Sequence, residues 1–585
     1  MSPGARKIRT KSRSVSPSQP DPLSRYAPKP GDPPRRYPDL HDHIRGLARE
    51  GLLVVVDEPI NKDTEMHPLV RWQFRGGIEE KNRKAFLFTQ PTDAKGRRYD
   101  SAVLVAGLAA SRDVYRVGMG MPLDKIGATW IRALANPVKP RLVRNAPCQE
   151  VVIRGKDLDQ PGRGLDGIPV PISTPGWDNG PYLTAGHYIT RDPETGIQNV
   201  GNYRGQIKSP RRLGMNPSLE IRPGIYIHWQ KYKAMGKPLP CAVVVGAPPA
   251  VSYCSVQKMS ESLDEVWVAG ALARAPINVV RAKTVGLLVP AEAEFVIEGY
   301  INTEELEPEA PFGESHGYVN LQEYNAFMDV TAITRRRQAV LTSFISQVTP
   351  SESSTIRRVA MEPVFLNYLQ ATLGVRGVMR VSMHEPLTSV IALIAIQFRR
   401  DTPQTEIWRA LHGAASLHRY AGKWIVAINE DIDPENSDAL FWAMCYRTQP
   451  QYDVKVLDRK DPGHGPRGPR DGGESAAVLI DATLKGIYPP VALPRREYME
   501  NARGIWERLG LGPLKPEPPW FGHDLGFWPP ELAREAELAT KGEYFKTGAK
   551  AARLRRRDVA MNTPISRIPG RIPGSPRGPR FEQDD

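Results

Sequence analysis

The pattern of apolar and polar residues changes twice along the chain. In the first part, short apolar runs at 52–56, 85–89 and 102–106 alternate with stretches of helical periodicity, beginning at 40–51. Short runs rich in β-branched and aromatic residues favour buried strands, and a 3.6-residue period favours helices. Residues 37–145 are therefore predicted to form an N-terminal α/β unit.

The middle of the chain, residues 146–348, is rich in short β-type runs separated by Pro and Gly. Residues 191–196, Arg-Asp-Pro-Glu-Thr-Gly, connect two of these runs and have the composition of a hairpin turn. Many short strands with few helices predict a β-barrel or a sandwich. The predicted strands lie at 150–153, 182–190, 198–207, 241–246, 279–281, 293–301 and 340–344.

Residues 349–500 return to an alternation of strands and helices, which predicts a C-terminal α/β domain with a parallel sheet. The strands are predicted at 390–398, 423–429 and 452–457, and the helices at 405–417 and 437–447. The three stretches together predict an α/β fold (α+β multidomain).

The two ends of the chain differ from its body. Residues 1–36 are rich in Pro, Ser and Arg and are predicted to be disordered. Residues 501–585 contain a helical segment followed by a basic tail. Exposed aromatic residues often pack on another subunit, so this segment predicts a homodimer or higher homo-oligomer. The aromatic residues concerned are Trp520, Phe521, Phe527 and Trp528.

Charge and cysteine content narrow the class of function. Of the net charge of +14, residues 1–36 carry +7 and residues 546–585 carry +6, which leaves the body nearly neutral. This distribution argues against specific nucleic-acid binding, which needs a basic patch on the folded body. No apolar run is long enough to span a membrane. Four cysteines without a CxxC pair suit a reducing cytoplasm.

Two segments carry acidic and basic residues in unusual settings. Glu309, Glu314 and His316 lie in a loop made rigid by Pro and Gly, where paired carboxylates suit proton transfer; a solvated acidic turn is the alternative. Arg204 lies five residues after Asn199 on a predicted strand. These two residues reach one ligand only if a bulge interrupts the strand near Gly201. The alternative is an edge strand with a surface Arg.

A third segment, residues 262–265, reads Ser-Leu-Asp-Glu before a helical stretch. It matches a capping box in which Ser262 is the N-cap and Glu265 reaches back to it. The alternative is that Glu265 is an oxygen ligand for a hard cation such as Mg²⁺ or Mn²⁺.

The three segments together resemble the UbiD family of reversible decarboxylases. The resemblance rests on Asn199-x4-Arg204, on Glu265, and on Glu309-x4-Glu314 within Pro-Glu-Ala-Pro-Phe-Gly-Glu-Ser-His-Gly-Tyr. Further matching runs lie at 189–196, 264–270, 289–294, 298–299 and 479–483, so the similarity covers most of residues 37–500.

The resemblance implies a split β-barrel that binds prenylated FMN, which a separate flavin prenyltransferase supplies, together with Mn²⁺ and, in many members, K⁺. It implies that Arg204, Glu309 and Glu314 are catalytic and that Asn199 and Glu265 are metal ligands. The implied cofactor-binding residues are Asn199, Val200, Gly201, Asn202, Tyr203, Arg204, Ser255, Gln257 and Glu265.

The sequence departs from the family pattern at three places. Ala310 replaces the Gly that usually follows the first Glu of the loop. No His lies cleanly in register for the third metal ligand, for which His228 is the candidate, with Tyr226 or water as substitutes. Ala476 and Ala477 lie where the family often has a phosphate-binding Lys.

The implied activity is non-oxidative decarboxylation of an aromatic, heteroaromatic or α,β-unsaturated carboxylic acid. In this scheme Arg204 orients the carboxylate, Glu309 holds Arg204, and Glu314 delivers a proton to carbon. Two alternatives remain open at this level. One is an FMN-dependent oxidoreductase on the same barrel, and the other is a non-catalytic family member.

Overall fold

The structure is a computed structural model that describes residues 23–217, 222–309, 311–389, 391–418, 422–461, 474–486, 488–514, 525–553, 555, 557 and 560–561. The described residues fall into two compact units. The first contains the chain up to residue 364 together with 385–389, and the second contains the remainder.

The helices of the described residues are α1 (Leu40–Arg49), α2 (Met66–Arg75), α3 (Arg112–Met119), α4 (Leu123–Ala135), α5 (Gly224–Ala234), α6 (Pro249–Ser255), α7 (Glu265–Leu272), α8 (Glu352–Asn367), α9 (Gln404–Leu417), α10 (Ser437–Arg447), α11 (Pro450–Asp453), α12 (Arg496–Arg508), α13 (Pro530–Thr540) and α14 (Tyr544–Ala552).

The strands are β1 (Leu53–Asn61), β2 (Ala85–Thr92), β3 (Ala102–Val105), β4 (Arg141–Leu142), β5 (Val151–Arg154), β6 (Tyr182–Arg191), β7 (Gln198–Ser209), β8 (Arg212–Met215), β9 (Leu239–Val245), β10 (Asn278–Arg281), β11 (Leu288–Pro290), β12 (Phe295–Ile301), β13 (Glu307–Glu309), β14 (Phe312–Gly313), β15 (Val319–Asn320), β16 (Glu323–Asn325), β17 (Phe327–Arg335), β18 (Val340–Ser343), β19 (Val378–Met383), β20 (Leu393–Phe398), β21 (Trp424–Asn429), β22 (Val454–Lys460) and β23 (Ser475–Asp481).

The N-terminal α/β layer is built on a four-stranded sheet in the order β1-β2-β3-β18. The three strands predicted from the first part of the sequence are present in it. The sequence analysis placed residues 340–344 among the strands of the barrel region, and this assignment is wrong. Strand β18 instead pairs in parallel with β3, where all four of its residues are buried.

The first unit also contains a closed six-stranded barrel, in the order β12-β9-β6-β7-β8-β17, with β12 pairing back to β17. The predicted barrel is confirmed, and the sandwich is excluded. Strand β6 is buried along nearly its whole length because both of its faces are covered. Leu183 and Tyr188 belong to one apolar cluster, and Ala185 and Ile189 belong to another that includes residues of α3, α4, α6 and α7.

The hairpin of β6 and β7 carries the predicted site, and residues 191–196 form its turn as predicted. The pairing is regular from Arg191↔Gln198 to Gly186↔Tyr203 and then shifts before Leu183↔Gly205. Two residues of β6, Thr184 and Ala185, therefore lie opposite a single residue of β7, Arg204, as in a β-bulge. The condition stated for Asn199 and Arg204 to contact one ligand, a bulge near Gly201 on β7, is not met, because the register shift lies on the partner strand β6.

The second unit contains a five-stranded sheet in the order β19-β20-β21-β23-β22. Strands β20, β21 and β23 are parallel, whereas β19 and β22 are antiparallel edge strands. A parallel sheet was predicted, but the strand at 452–457 is not its third parallel member. That place is taken by β23, because β22 turns back beside it at the edge. The strand predicted from residue 390 begins at Leu393.

Part of the predicted disordered N-terminal segment is folded onto the first unit. Tyr26 is 1% exposed and packs in the main apolar cluster. Lys29 forms an ion pair with Glu150 at 3.0 Å, and Arg35 forms one with Asp39 at 2.9 Å. The sequence prediction failed at residues 23–36 because one aromatic residue provides enough apolar contact to fix a Pro-rich segment.

At the other end of the chain, none of the residues that the structure describes in helices α12, α13 and α14 is buried. Phe527 and Trp528 are 41% and 42% exposed. Trp520 and Phe521 lie outside the described residues. None of the described helices is both long enough and apolar enough to cross a membrane.

Candidate functional site

The centre of the candidate site is a buried guanidinium held by two carboxylates. Arg204 donates from Nε to Glu309 Oε1 at 2.8 Å and from Nη2 to Glu309 Oε2 at 2.6 Å. Its Nη1 donates to Glu314 Oε1. The three side chains are 8%, 0% and 13% exposed for Arg204, Glu309 and Glu314. The structure therefore brings together the three residues predicted to be catalytic.

Short strands hold the two carboxylates in place. Glu309 ends β13, which pairs with β16, and Asn325 at the end of β16 donates to Glu309 Oε2 at 3.4 Å. Glu314 follows β14, which pairs with β15, and Asn320 donates to Glu314 Oε1 at 3.3 Å. Ala310, the departure from the family pattern, lies outside the described residues.

An aromatic side chain covers the guanidinium. The Phe312 ring lies 5.3 Å from Arg204 Cζ, within the range of a cation–π contact. Tyr182 packs against Phe312 with ring centroids 4.5 Å apart. Burial acts to lower the pKa of Arg204, but the hydrogen bonds to Glu309 and the negative charges of Glu314 and Glu309 outweigh it and raise this pKa above its ordinary value. The guanidinium therefore stays charged.

A second cluster lies at the start of β7. Asn199 Nδ2 donates to Glu265 Oε1 at 2.9 Å, and the Val200 backbone N–H donates to Glu265 Oε2 at 2.7 Å. Burial raises the pKa of Glu265 to about 8. Asn199 Oδ1 is buried without a hydrogen-bond partner. The Glu265 carboxylate and the unpartnered amide oxygen of Asn199 are both oxygen ligands of the kind that a hard cation such as Mn²⁺ prefers.

The capping-box interpretation of residues 262–265 is wrong. Helix α7 begins at Glu265, and its N-cap is Asp264, whose side chain accepts from the Val266 N–H at 2.9 Å. Ser262 contacts Ser260 Oγ instead. Because Asp264 performs the capping, the Glu265 carboxylate is free to point at β7.

His228 lies on α5 next to the same strand pair. Helix α5 begins at Gly224, where a Cβ atom would lie 2.6 Å from Asn199 Cγ, so only Gly allows this approach. His228 Nδ1 lies 2.8 Å from Oγ1 of Thr190, the residue that pairs with Asn199 across the hairpin. Burial lowers the pKa of His228 to about 4, which keeps it neutral. Its role as a metal ligand stays a prediction.

A metal site at this cluster would depend on the Asn199 amide. Within the described part of the chain, no group of three or more His, Cys, Asp and Glu side chains is arranged to hold a metal ion. The donor set that fits a divalent cation is therefore Asn199 Oδ1 with the Glu265 carboxylate, and His228 is the nearby candidate for a third position.

The remaining predicted cofactor-binding residues surround β7 and the end of α6. Val200 is buried in the helix-covered cluster, and Tyr203 packs edge-on against Tyr188 at 5.7 Å. A Cβ atom at Gly201 would lie 2.4 Å from the Tyr203 ring, which explains the Gly. Ser255 is buried at the end of α6, and Gln257 has a buried Nε2 without a partner.

Sequence reasoning missed several polar residues of the site. Asn320 and Asn325 have no signal beyond their proximity to the Glu309–Glu314 loop. His187 was also missed, although it contacts Asn202 and Ser255. The sequence did allow this prediction, because the turn at 191–196 fixes the pairing of the hairpin, and counting back from the pair Arg191↔Gln198 places His187 opposite Asn202.

Two family models match the chain. Residues 141–348 match the 3-octaprenyl-4-hydroxybenzoate carboxy-lyase Rift-related domain of UbiD, and residues 355–481 match the C-terminal domain of the same carboxy-lyase. A relative from Aquifex aeolicus, described only as an uncharacterized protein, is 30% identical over 516 residues, covering 81% of this chain and 99% of its own length. This chain belongs to the UbiD family of carboxy-lyases.

Solved structures agree with this assignment. The UbiD-class enzyme HmfF from Pelotomaculum thermopropionicum, in complex with FMN, is 29% identical with a TM-score of 0.67, covering 78% of this chain and 95% of its own. An evolved dimeric form of HmfF in complex with prFMN is 28% identical with a TM-score of 0.66, covering 78% and 97%. The 3,4-dihydroxybenzoic acid decarboxylase AroY from Klebsiella pneumoniae is 25% identical with a TM-score of 0.65, covering 79% and 99%.

Glu265→Gln tests the metal site. The variant keeps the volume of the side chain but removes the charge, so we expect bound Mn²⁺ and flavin to be lost together. The folded pKa of about 8 lies above the ordinary value of 4.5, so ionisation of Glu265 costs stability as the pH rises between these values. The metal-free variant should therefore lose less stability over this pH range than the metal-free wild type. Metal analysis and unfolding at several pH values measure both effects.

Glu352→Gln is the matched control. Glu352 is equally buried, its pKa is raised by burial to about 7, and it accepts from the backbone N–H groups of Leu108 and Ala109. Its replacement should also make the stability of the protein less dependent on pH, but it should leave metal and flavin bound. Wild-type metal content in Glu265→Gln would show that Glu265 is only a structural carboxylate.

Proposed function

We propose that this chain catalyses the non-oxidative, reversible decarboxylation of an aromatic, heteroaromatic or α,β-unsaturated carboxylic acid with prenylated FMN as cofactor. The observation that carries the proposal is the Glu309–Arg204–Glu314 arrangement on the barrel strand that also presents Asn199 to Glu265. HmfF, which shares the fold and 29% of the sequence, was solved with FMN.

The cofactor and the protein have separate tasks. When bound, prenylated FMN supplies an electron sink for the pair left on carbon as carbon dioxide departs. Asn199 and Glu265, with His228 as third candidate, would hold Mn²⁺, and K⁺ is a further candidate ion. Residues 476 and 477 are both Ala, so the Lys that the family often has there is missing and other groups would hold the cofactor phosphate.

Arg204 binds and orients the substrate carboxylate. Its three contacts with Glu309 and Glu314 use three of the five N–H groups of a guanidinium. One N–H on Nη1 and one on Nη2 remain to donate to the oxygens of a substrate carboxylate. Glu309, which is fully buried and bidentate to Arg204, fixes the plane of the guanidinium.

Glu314 is the proton donor of this scheme. It makes a single contact with Arg204, and at 13% exposure it is the more accessible of the two carboxylates. Glu309 has no exposed surface and holds Arg204 through both oxygens. Proton delivery to the carbon that loses carbon dioxide therefore falls to Glu314, and in the carboxylation direction Glu314 would remove the same proton before the carbon bonds to carbon dioxide.

The proposal includes the source of the cofactor and the cellular setting. A separate flavin prenyltransferase would supply prenylated FMN. All four cysteines are unpaired, which suits a reducing cytoplasm. The only other small-molecule partner we propose is the carboxylic acid substrate.

The exposed C-terminal helices support a homodimer or higher homo-oligomer. None of the described residues of α12 to α14 is buried, although Tyr544 and Phe545 form a ring pair and are 55% and 79% exposed. We expect deletion of residues 515–585 to lower the number of subunits per particle, measured by light scattering. Deletion of residues 562–585 alone is the control and should leave the number of subunits unchanged. The wild-type number of subunits after the larger deletion would contradict this role.

Glu314→Gln tests the proton donor in protein co-expressed with a flavin prenyltransferase. Gln keeps the size and the hydrogen bond to Arg204 but carries no acidic proton, so turnover should fall about 10²–10⁴-fold. The flavin released from wild type and variant should have the same mass, above that of FMN. In deuterated water the wild type should place deuterium on the carbon that lost carbon dioxide.

Glu307→Gln is the control for this experiment. Glu307 begins the strand that Glu309 ends, but it pairs with Lys208 at 2.9 Å and with Arg212 rather than with Arg204, so its replacement should leave turnover near the wild-type value. Near-normal turnover of Glu314→Gln with bound cofactor would eliminate Glu314 as donor. Full turnover with unmodified FMN would overturn the cofactor assignment.

A further inference from the structure

A buried group of polar side chains links α6 to the hairpin that carries Arg204. His187 is fully buried, and its Nδ1 lies 3.1 Å from Asn202 Oδ1 and 2.9 Å from Ser255 Oγ. On the other side of the ring, Nε2 lies 2.9 Å from Ser252 Oγ. The mechanism above uses none of these contacts.

Donor and acceptor chemistry fixes the tautomer of His187. Asn202 contacts the Thr184 backbone carbonyl at 3.1 Å, and since a carbonyl only accepts, the amide nitrogen must face it. The Asn202 oxygen therefore faces His187 Nδ1, which must carry the proton. Nε2 is then an acceptor and receives the hydroxyl proton of Ser252. Burial lowers the pKa of His187 to about 4, so the ring is neutral.

The same reasoning fixes the direction of the Ser255 hydroxyl. Ser255 Oγ lies 2.8 Å from the Ser252 backbone carbonyl, to which it must donate. It therefore faces Nδ1–H of His187 as an acceptor and keeps a second lone pair. Asn202 keeps one N–H on Nδ2 and is only half-buried. The His187 ring thus fixes the orientation of two groups, the Ser255 oxygen as an acceptor and the Asn202 amide nitrogen as a donor.

We infer that His187 is a positioning residue of the cofactor site: its Nδ1–H tautomer orients Asn202 as a donor and Ser255 as an acceptor toward the flavin. A flavin carries complementary groups, namely ring carbonyls, a ring N–H and ribityl hydroxyls. The inference rests on the proposed function, because it is that proposal which places the flavin beside Asn202 and Ser255.

A catalytic serine–histidine pair is not the explanation for these contacts. Ser252 is 1% exposed and His187 is 0% exposed, so no substrate reaches the Ser252 oxygen. The pair also lacks the acidic partner that orients the histidine in such enzymes, since the amide of Asn202 takes that position. The arrangement orients its neighbours rather than activating a nucleophile.

Titration of the protein with FMN itself tests this inference, with flavin fluorescence and absorbance as readouts. His187→Leu removes the Nδ1 donor that orients Asn202 and Ser255. We expect FMN binding to weaken about 10–100-fold, which corresponds to the loss of one or two hydrogen bonds from these residues to the flavin. His187→Asn places an amide N–H near the position of Nδ1, so it should restore binding to within about threefold of wild type.

A double substitution separates positioning from packing. If His187 acts through Ser255, His187→Leu should weaken FMN binding much less in a Ser255→Ala background than in the wild type. His43→Leu is the control, because His43 is 1% exposed and makes one hydrogen bond, to Gly107 O at 2.7 Å, outside the site. It should lower the melting temperature and leave FMN affinity unchanged.

The outcomes separate this inference from the proposed function. Wild type that does not bind FMN would contradict the proposed function and the inference with it. Wild type that binds FMN, with His187→Leu folded and binding equally well, would overturn only the role of His187. Failure of His187→Asn to restore binding, or additive effects of the Leu and Ala substitutions, would also overturn it. If His187→Leu does not fold, the Asn and Ser255→Ala variants decide the question.

Discussion

The site depends on one buried cation shared by two carboxylates. Arg204 lies on a long barrel strand, whereas Glu309 ends a strand of three residues and Glu314 follows a strand of two residues, both more than 100 positions later in the chain. Such short strands have little stability of their own. Removing one partner of a buried ion pair typically costs about 3–5 kcal/mol, because it leaves an uncompensated charge. Arg204 therefore holds the loop that carries Glu314, in addition to the substrate-orienting role that we propose for it.

The barrel supplies the fixed positions for this arrangement. The β6–β7 hairpin keeps one register from its turn to Gly186↔Tyr203, so it presents Asn199 to Glu265 and Asn202 to His187 from neighbouring positions. The bulge on β6 then lies opposite Arg204. The strand β7 is therefore paired regularly at the end where we propose cation binding and irregularly at the end where we propose catalysis.

Much of this architecture could be predicted from local patterns. Short β-type runs separated by Pro and Gly predicted a barrel or a sandwich, and the resemblance to the UbiD family implied the residues that meet at Arg204. Other features depend on contacts between distant segments. The sequence pattern of residues 340–343 is equally consistent with a strand of the barrel and with a strand of the N-terminal sheet. Only the pairing with β3, which lies far away in the sequence, places them in the N-terminal sheet. Tyr26 belongs to a segment whose composition predicts disorder, yet it packs in the core. The N-cap Asp264 was missed because Ser262 also fits a capping box.

A double-mutant cycle between Arg204 and Glu309 tests the central claim most directly. Arg204→Leu and Glu309→Leu, each measured by urea unfolding of the full chain, should lower the free energy of unfolding by about 3–5 kcal/mol, and the double variant should recover at least about 2 kcal/mol of the summed loss. The Lys208–Glu307 pair, which is more exposed, should show a coupling below about 1 kcal/mol. Additive losses at Arg204 and Glu309, to within about 0.5 kcal/mol, would contradict the account.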